Sequence, residues 1–334
     1  MALPFPTFVP GFRLIDGSAL NQLVQAVQNE SVWPGTFYYV DPKNGNDSNT
    51  GLLPSGAWQS LTHATSVVKG GQNNVVVLMS DGTTASTARL SATLAWSLNA
   101  THLIGISAPT TNSQRARISH PTTATLNISP LLNITASDCI FMNFSIFQGI
   151  GQSSTAEQEV DINGGQRNYF YNVDFQGMGS ANGAGQSTSY VLAFKGDAAE
   201  NTFERCNFGV ETEPRTAANS TIVVAAGATA ERNEFYDCFF SMYPTTVQTQ
   251  THLLISGSLN GSHMTFKNCL FGAFGSSNVS GALQPNVAMT VGAVNGEVWC
   301  YGCATRCAAL AASGPVYGDR PAASATGGLL ISQT

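Results

Sequence analysis

The groups in this sequence best suited to hydrolytic chemistry are carboxylates, and they are scarce: 20 Asp plus Glu against 14 Lys plus Arg in 334 residues. Cleaving a glycosidic bond takes two carboxyl groups held about 5–9.5 Å apart. By spacing, the candidates are Asp197 with Glu204 across a turn, and Glu211 with Glu213 on a loop that also carries Arg215. Asp174 stands without an acidic partner. Elimination at a uronate needs a base, and the few Lys, Arg and His form no cluster. No Gly-x-Ser-x-Gly elbow and no phosphate-cradling glycine loop is present. No catalytic residue is therefore assigned, and the chain is read as not an enzyme. Polysaccharide cleavage is the alternative.

Two clusters have the look of metal ligands. The segment "DPKNGND" gathers Asp41, Asn44, Asn46 and Asp47, hard oxygen donors of the kind calcium takes. It lacks the acidic twelfth ligand of a helix-loop-helix calcium site, and an Asx-rich turn explains it without an ion. The segment "CYGCATRC" holds Cys300, Cys303 and Cys307. A structural zinc needs a fourth ligand, and none of His63, His102, His120, His252 and His263 lies nearby in sequence. Cys303 is read as inward, the other two as incidental. No metal and no cofactor is expected.

Composition narrows the classes further. Charged residues make up only 10% of the chain, far below the roughly 25% of an ordinary domain. The net charge is −6 with no basic run, which argues against nucleic acid. No stretch approaches 18 consecutive apolar residues, so no membrane span is expected. The start lacks a basic segment followed by an apolar run, so it is read as no export signal. Cys206, Cys238 and Cys269, which hold the same place in a repeat, are accordingly expected to be reduced core residues.

The elements that would position these groups repeat. "NTFERCNFG" (201–209), "NEFYDCFFS" (233–241) and "MTFKNCLFG" (264–272) share one skeleton. Its anchors run Phe141, Phe170, Phe203, Phe235 and Phe266, then Val298 more weakly. A period near 31 residues marks a solenoid. Apolar positions at i, i+3 and i+5 do not fit a helix. They fit a strand, a one-residue bend and a second strand. The core ladder is then Phe203, Cys206 and Phe208, with Phe235, Cys238, Phe240 and Phe266, Cys269, Phe271 on the next two coils. The bend falls on Asn143, Asn172, Arg205, Asp237 and Asn268, mostly residues that tolerate left-handed backbone. A further strand precedes each anchor, as in "SYVLAF" (189–194) and "THLLIS" (251–256). The position after each anchor points outward: Met142, Tyr171, Glu204, Tyr236, Lys267 and Trp299. Tyr171, Tyr236 and Trp299 could stack on sugar rings or on a neighbouring subunit, or pack under loops of the same chain.

The period, the Asn bend and the Phe and Cys columns resemble the right-handed parallel β-helix family, the pectate-lyase-like solenoids. So does "FYYVDPKNGNDSNTGLLPSGAWQSLTHATSVV" (37–68), which is similar to the entry coil of such proteins. The resemblance spans about 37–303. It implies an all-β solenoid of some seven coils, roughly 30–40 Å tall at about 4.8 Å per coil. The expected organisation is a docking arm with a short helix (1–36), the β-helix (37–303) and an irregular tail (304–334).

Residues 1–14, "MALPFPTFVPGFRL", are a different material. Pro4, Pro6 and Pro10 hold the backbone extended, and Phe5, Phe8 and Phe12 have no period of their own. They read as a strap that docks on a partner through Phe5, Phe8, Phe12 and Arg13. Residues 15–29 place Leu20, Leu23, Val24 and Val27 on one helical face, and are expected to close the open end of the solenoid. The stretch "GFRLIDGSALN" resembles N-terminal segments of tailed-phage virion structural proteins. That resemblance implies a capsid decoration protein or head fibre, located in the virion after assembly in the host cytoplasm. It would be bound to other virion proteins such as the major capsid protein; a low-charge, apolar-dotted surface is easier to explain if part of it is covered, and a homo-oligomer, a trimer, is expected. A tail spike that binds or depolymerises host polysaccharide is the alternative.

Overall fold

The computed structural model describes residues 34–121, 128–149, 157–244, 250–274, 287–292, 295–307, 309–311, 316–318 and 330–331. The docking arm with Phe5, Phe8, Phe12 and Arg13, and the expected helix at 15–29, lie outside the described residues. Within them the chain is a right-handed parallel β-helix. Three sheets of ten, eight and ten strands run along it, and nearly every strand pairs parallel with the equivalent strand one coil away. We call them sheet I, from Phe37–Val40 to Val316–Gly318, sheet II, from Leu94–Trp96 to Ala309–Ala311, and sheet III, from Ala88–Arg89 to Leu330–Ile331. Nine spacings of about 4.8 Å make sheet I roughly 43 Å long, somewhat more than seven coils give.

The coil is built as the repeat dictates. A strand of sheet II turns into sheet I, a single residue bends the chain, and sheet III follows. The bend residues Asn143, Asn172, Arg205, Asp237 and Asn268 all sit in left-handed backbone, with φ between 50 and 55°. The next coil puts Gly302 there, at φ 61°. One left-handed residue redirects the chain without a loop, so the strands on either side stay in register. Asn172 donates to the Asn143 side chain at 3.0 Å, and Asn268 to Asp237 at 2.9 Å.

Inside, like stacks on like. Phe141, Phe170, Phe203, Phe235 and Phe266 stack with centroids 4.6–4.8 Å apart and planes within 9°. Phe175, Phe208, Phe240 and Phe271 form a second column at 4.8–4.9 Å. The strand spacing sets these distances. Such pairs add about 0.5–1.5 kcal/mol each beyond their burial. Between the columns, Cys206, Cys238, Cys269 and Cys303 are buried. Each thiol points at the carbonyl of the anchor one coil back, at 3.5 Å. All seven cysteines are free and buried. A third column, Asn168, Asn201 and Asn233, lies two residues before each Phe. Each amide bonds the next at 3.0 Å, which satisfies polar groups that would otherwise cost free energy in the core.

The N-terminal end is closed by described residues. Helix Leu61–Val67, capped by the Ser60 side chain on the His63 amide, puts Leu61 and Ala64 into the core beside Val40 and Trp58. The edge strand Phe37–Val40 is covered by the same segment: Tyr39 N–H donates to Gly51 at 2.7 Å and Trp58 N–H to Tyr39 at 2.9 Å. Covering an edge removes a template for unwanted pairing. Gly51, at φ 72°, is required here, because a Cβ would fall 2.5 Å from the Trp58 ring.

Two expectations are corrected. The last anchor is Cys300, which pairs with Phe266, not Val298, which pairs with Met264. Cys303 then falls in the thiol column and Thr305 two positions on. The register slips by two because Val298 is also inward, and an apolar residue at either position fits the repeat. Nor is 304–334 an irregular tail throughout. Ala304–Thr305, Ala309–Ala311 and Val316–Gly318 each extend one of the three sheets in parallel, and Leu330–Ile331 pairs antiparallel with Ala304–Thr305. Small residues there hide the strand pattern.

Candidate functional site

On the outer face of sheet I, side chains from successive coils line up in columns. One outward column runs Tyr39, Val77, Ile104, Met142, Tyr171, Glu204, Tyr236, Lys267 and Tyr301. The neighbouring one includes Ile140, Tyr169, Thr202, Glu234, Thr265, Trp299 and Tyr317. The face is therefore graded. After Tyr39 the first column is aliphatic, with Val77, Ile104 and Met142, and over the later coils the face is aromatic with polar groups.

Tyr171 and Tyr236 take the expected column. Trp299 does not: it pairs with Thr265 and stands one column over, and Tyr301 holds the place beside Lys267. This follows from the same two-residue slip. Trp299 still faces outward. It stacks on His263 at 4.5 Å with planes 6° apart, and its indole N–H donates to Glu297 at 2.8 Å. These residues line an open groove of about 520 Å³ with Gly261, Ser262, Asn295 and Gly296. The Tyr171 hydroxyl accepts from Arg205 Nη1 at 2.8 Å, and the Tyr169 hydroxyl donates to Glu204 Oε2 at 2.8 Å. Flat rings beside hydrogen-bonding groups suit sugar rings or a protein partner.

Of the candidate carboxylates, Asp197 and Glu204 are each engaged by other groups. Asp197, on the turn before sheet I, accepts from Gln166 at 2.8 Å and Thr229 at 3.0 Å, while Glu204 takes the Tyr169 phenol. Arg215 turns inward, away from a loop ion pair. It is buried, donates to Thr221 at 3.1 Å, and burial pulls its pKa down to about 9. Glu211 stays exposed and Glu213 half-buried. Asp174 is sealed under the segment around Ser113, whose N–H it accepts, and it also accepts from Asn207 at 2.7 Å.

Sequence reasoning missed two acidic sets. Glu157, Glu159 and Asp161 alternate along the start of a sheet II strand, yet all are buried. Glu159 accepts the Gly177 N–H at 2.7 Å, and Asp161 pairs with Lys195 at 2.7 Å. Burial pushes Glu157 up to about 7 and Glu159 well above the usual range. A carboxyl near 7 suits a general acid, but among the described residues these groups are buried. The alternation in "EQEVDI" was the available signal. The second set is Glu204 with Glu234. Glu204 lies opposite Tyr236, and Glu234 opposite Thr202. They are diagonal neighbours, a relation that sets such residues about 7–8 Å apart. Glu204 is buried and Glu234 half-buried.

The calcium-like set is engaged in the turn. Asp41 accepts from the Lys43 and Asn44 amides at 3.0 Å. Asp47 holds the Gln59 and Ser60 amides at 2.8 and 2.9 Å. Cys300 and Cys307, read as incidental, are both inward-facing core residues. Among the described residues, no group of three or more His, Cys, Asp or Glu is placed to hold a metal ion.

No family model and no curated protein matches the chain. Solved structures do match in fold. Pectate lyase Pel9A superposes with a TM-score of 0.55 at 14% identity, over 82% of this chain and 64% of that one. A Geobacillus virus E2 protein, ORF18, gives 0.52 at 11% identity, over 88% of this chain and 51% of that one. A pectin methylesterase solved with a hexasaccharide gives 0.50 at 14% identity, over 85% and 81%. This chain thus spans about two-thirds of the lyase and half of the viral protein. At these identities the likeness is one of fold, the β-helix.

Proposed function

We propose that this chain is a structural protein of a phage virion, a capsid decoration protein or head fibre attached through residues 1–14. The observation that carries the reading is where its charged groups go. Asp138, Arg167, Glu200 and Arg232 form one ion-paired ladder along an edge of the solenoid. Asp161 holds Lys195, and Asp174 holds Asn207 on the next coil. In a chain with only 10% charged residues, these groups tie coil to coil instead of converging on a substrate. The fold shared with a viral protein is in keeping with this reading. Mass spectrometry of separated heads and tails tests it. The protein is expected in the head fraction at constant stoichiometry, and absence from purified particles contradicts it.

A second reading, a tail spike acting on host polysaccharide, is favoured by one specific observation: the aromatic face of sheet I with Glu204 and Glu234 diagonal upon it. It predicts recovery in the tail fraction, and release of oligosaccharide from host envelope that is lost in Glu234→Gln. The trimeric state belongs to the proposal, and sedimentation of the purified chain measures it.

A further inference from the structure

The outer face of sheet III carries a cationic cluster that takes no part in the coil-to-coil ion pairs. Ala88 pairs with Ile118 and Ile118 with Ile146, and all three face the core. Arg89, Arg117, Ser119 and Ser145, one position away on the same strands, therefore point outward. Arg89 stands opposite Ser119, and Arg117 opposite Ser145. The four occupy three adjacent strands, with about 4.8 Å between strands and about 6.6 Å between Arg117 and Ser119 along one strand. Arg115 is close by. Burial first, then repulsion by Arg115 and Arg89, pulls the Arg117 guanidinium below its ordinary value. Among the described residues none of these three arginines is ion-paired. Asp174 attracts Arg117, but its oxygens already accept from the Ser113 N–H, Gln176 and Asn207.

The same face holds donors with nothing to bond. Arg117 Nε and the hydroxyls of Ser119 and Ser145 are sealed and have no hydrogen-bond partner among the described residues, and both serines are 0% exposed. A buried donor left unpaired destabilises the fold, and three on one small face call for a shared acceptor. We infer that Arg89, Arg117, Ser119 and Ser145 form a binding site for a single tetrahedral oxyanion, phosphate or sulfate. Two guanidinium groups supply charge and forked donors. The hydroxyls add donors from two neighbouring strands. One arginine fork would satisfy a planar carboxylate, whereas an ion with four oxygens can meet all of these groups. Arg89 is held for the role, because its Nη1 donates to the His120 carbonyl at 3.0 Å. A long polyanion is not the ligand, since the chain as a whole carries a net charge of −6 and no basic run. Such a site belongs to the chain alone and stands apart from the virion reading.

Equilibrium dialysis of the full chain against labelled inorganic phosphate, at fixed ionic strength, tests it. One saturable phosphate per chain is expected, displaced by sulfate. Affinity should fall about tenfold or more in Arg117→Gln and in Arg89→Gln, and severalfold in Ser119→Ala/Ser145→Ala. Arg89 is exposed, so its variant keeps the test open if the Arg117 variant does not fold. Glycerol 3-phosphate separates the two sources of the ion. Competition equal to that of phosphate marks a phosphate group carried on a larger molecule, and weak competition marks the free ion. No saturable binding of phosphate, or equal binding by the wild-type chain and Arg89→Gln, overturns the inference.

Discussion

At the residue scale, two side-chain environments give sharp tests. Burial pushes the thiols of Cys238 and Cys269 well above the ordinary cysteine range, and a buried thiol is slow to react. We expect native protein to resist maleimide at Cys206, Cys238 and Cys269, and all seven cysteines to label in denaturant. Rapid native labelling of these three would show that the column is not packed. Glu157 gives a pH test. Its folded pKa is raised, to about 7 from about 4.5, so the folded chain binds the extra proton across that window. The stability tied to this proton is fully present near pH 4.5 and is lost as pH rises through 7, on the order of 1–3 kcal/mol. Glu157→Gln should raise the melting temperature at pH 8 and leave it nearly unchanged at pH 5. His102, held near 4 by burial, acts in the opposite sense below pH 6.5 and is common to both proteins, so the difference between them isolates Glu157. The Phe and Cys columns were legible because three repeats write them alike. The burial of these acids was not, because nothing in "EQEVDI" says that 177–180 fold over that corner.

At the element scale the bend is the controlling feature. Asn268 sits at φ 54°, where a β-branched residue is strained and glycine is not. Asn268→Val should cost about 1–2 kcal/mol, and Asn268→Gly less, both read by denaturant unfolding. Equal costs would mean that the left-handed backbone is not what the position requires. Sequence pattern located this bend, its period and the strands beside it, because Asn and Asp recur where only a few residue types fit. It failed at the last coils, where Gly302 replaces Asn and alanines replace branched residues. The structure makes those coils part of the solenoid. Cys307, Leu310 and Val316 are buried. A chain ending at residue 303 should therefore melt several degrees lower than the full chain. An unchanged melt would return 304–334 to the role of a loose tail.

At the scale of the whole molecule, stability and attachment are separate. Each coil is stabilised by burial against its neighbours, from Phe37–Val40 to Val316–Gly318. In the proposed reading, attachment comes from Phe5, Phe8 and Phe12, each contributing about 1–3 kcal/mol when buried in a partner groove, with the three prolines lowering the entropy lost on ordering. The fold of the body was legible from one repeated skeleton; the partner was not, since an apolar strap records what it leaves, water, and not the groove it enters. The most direct measurement is a chain starting at residue 15, followed by thermal melting and by co-sedimentation with particles lacking the wild-type protein. The truncated chain is expected to keep the melting curve of the full chain and to stay in the supernatant. Pelleting at wild-type stoichiometry would contradict it.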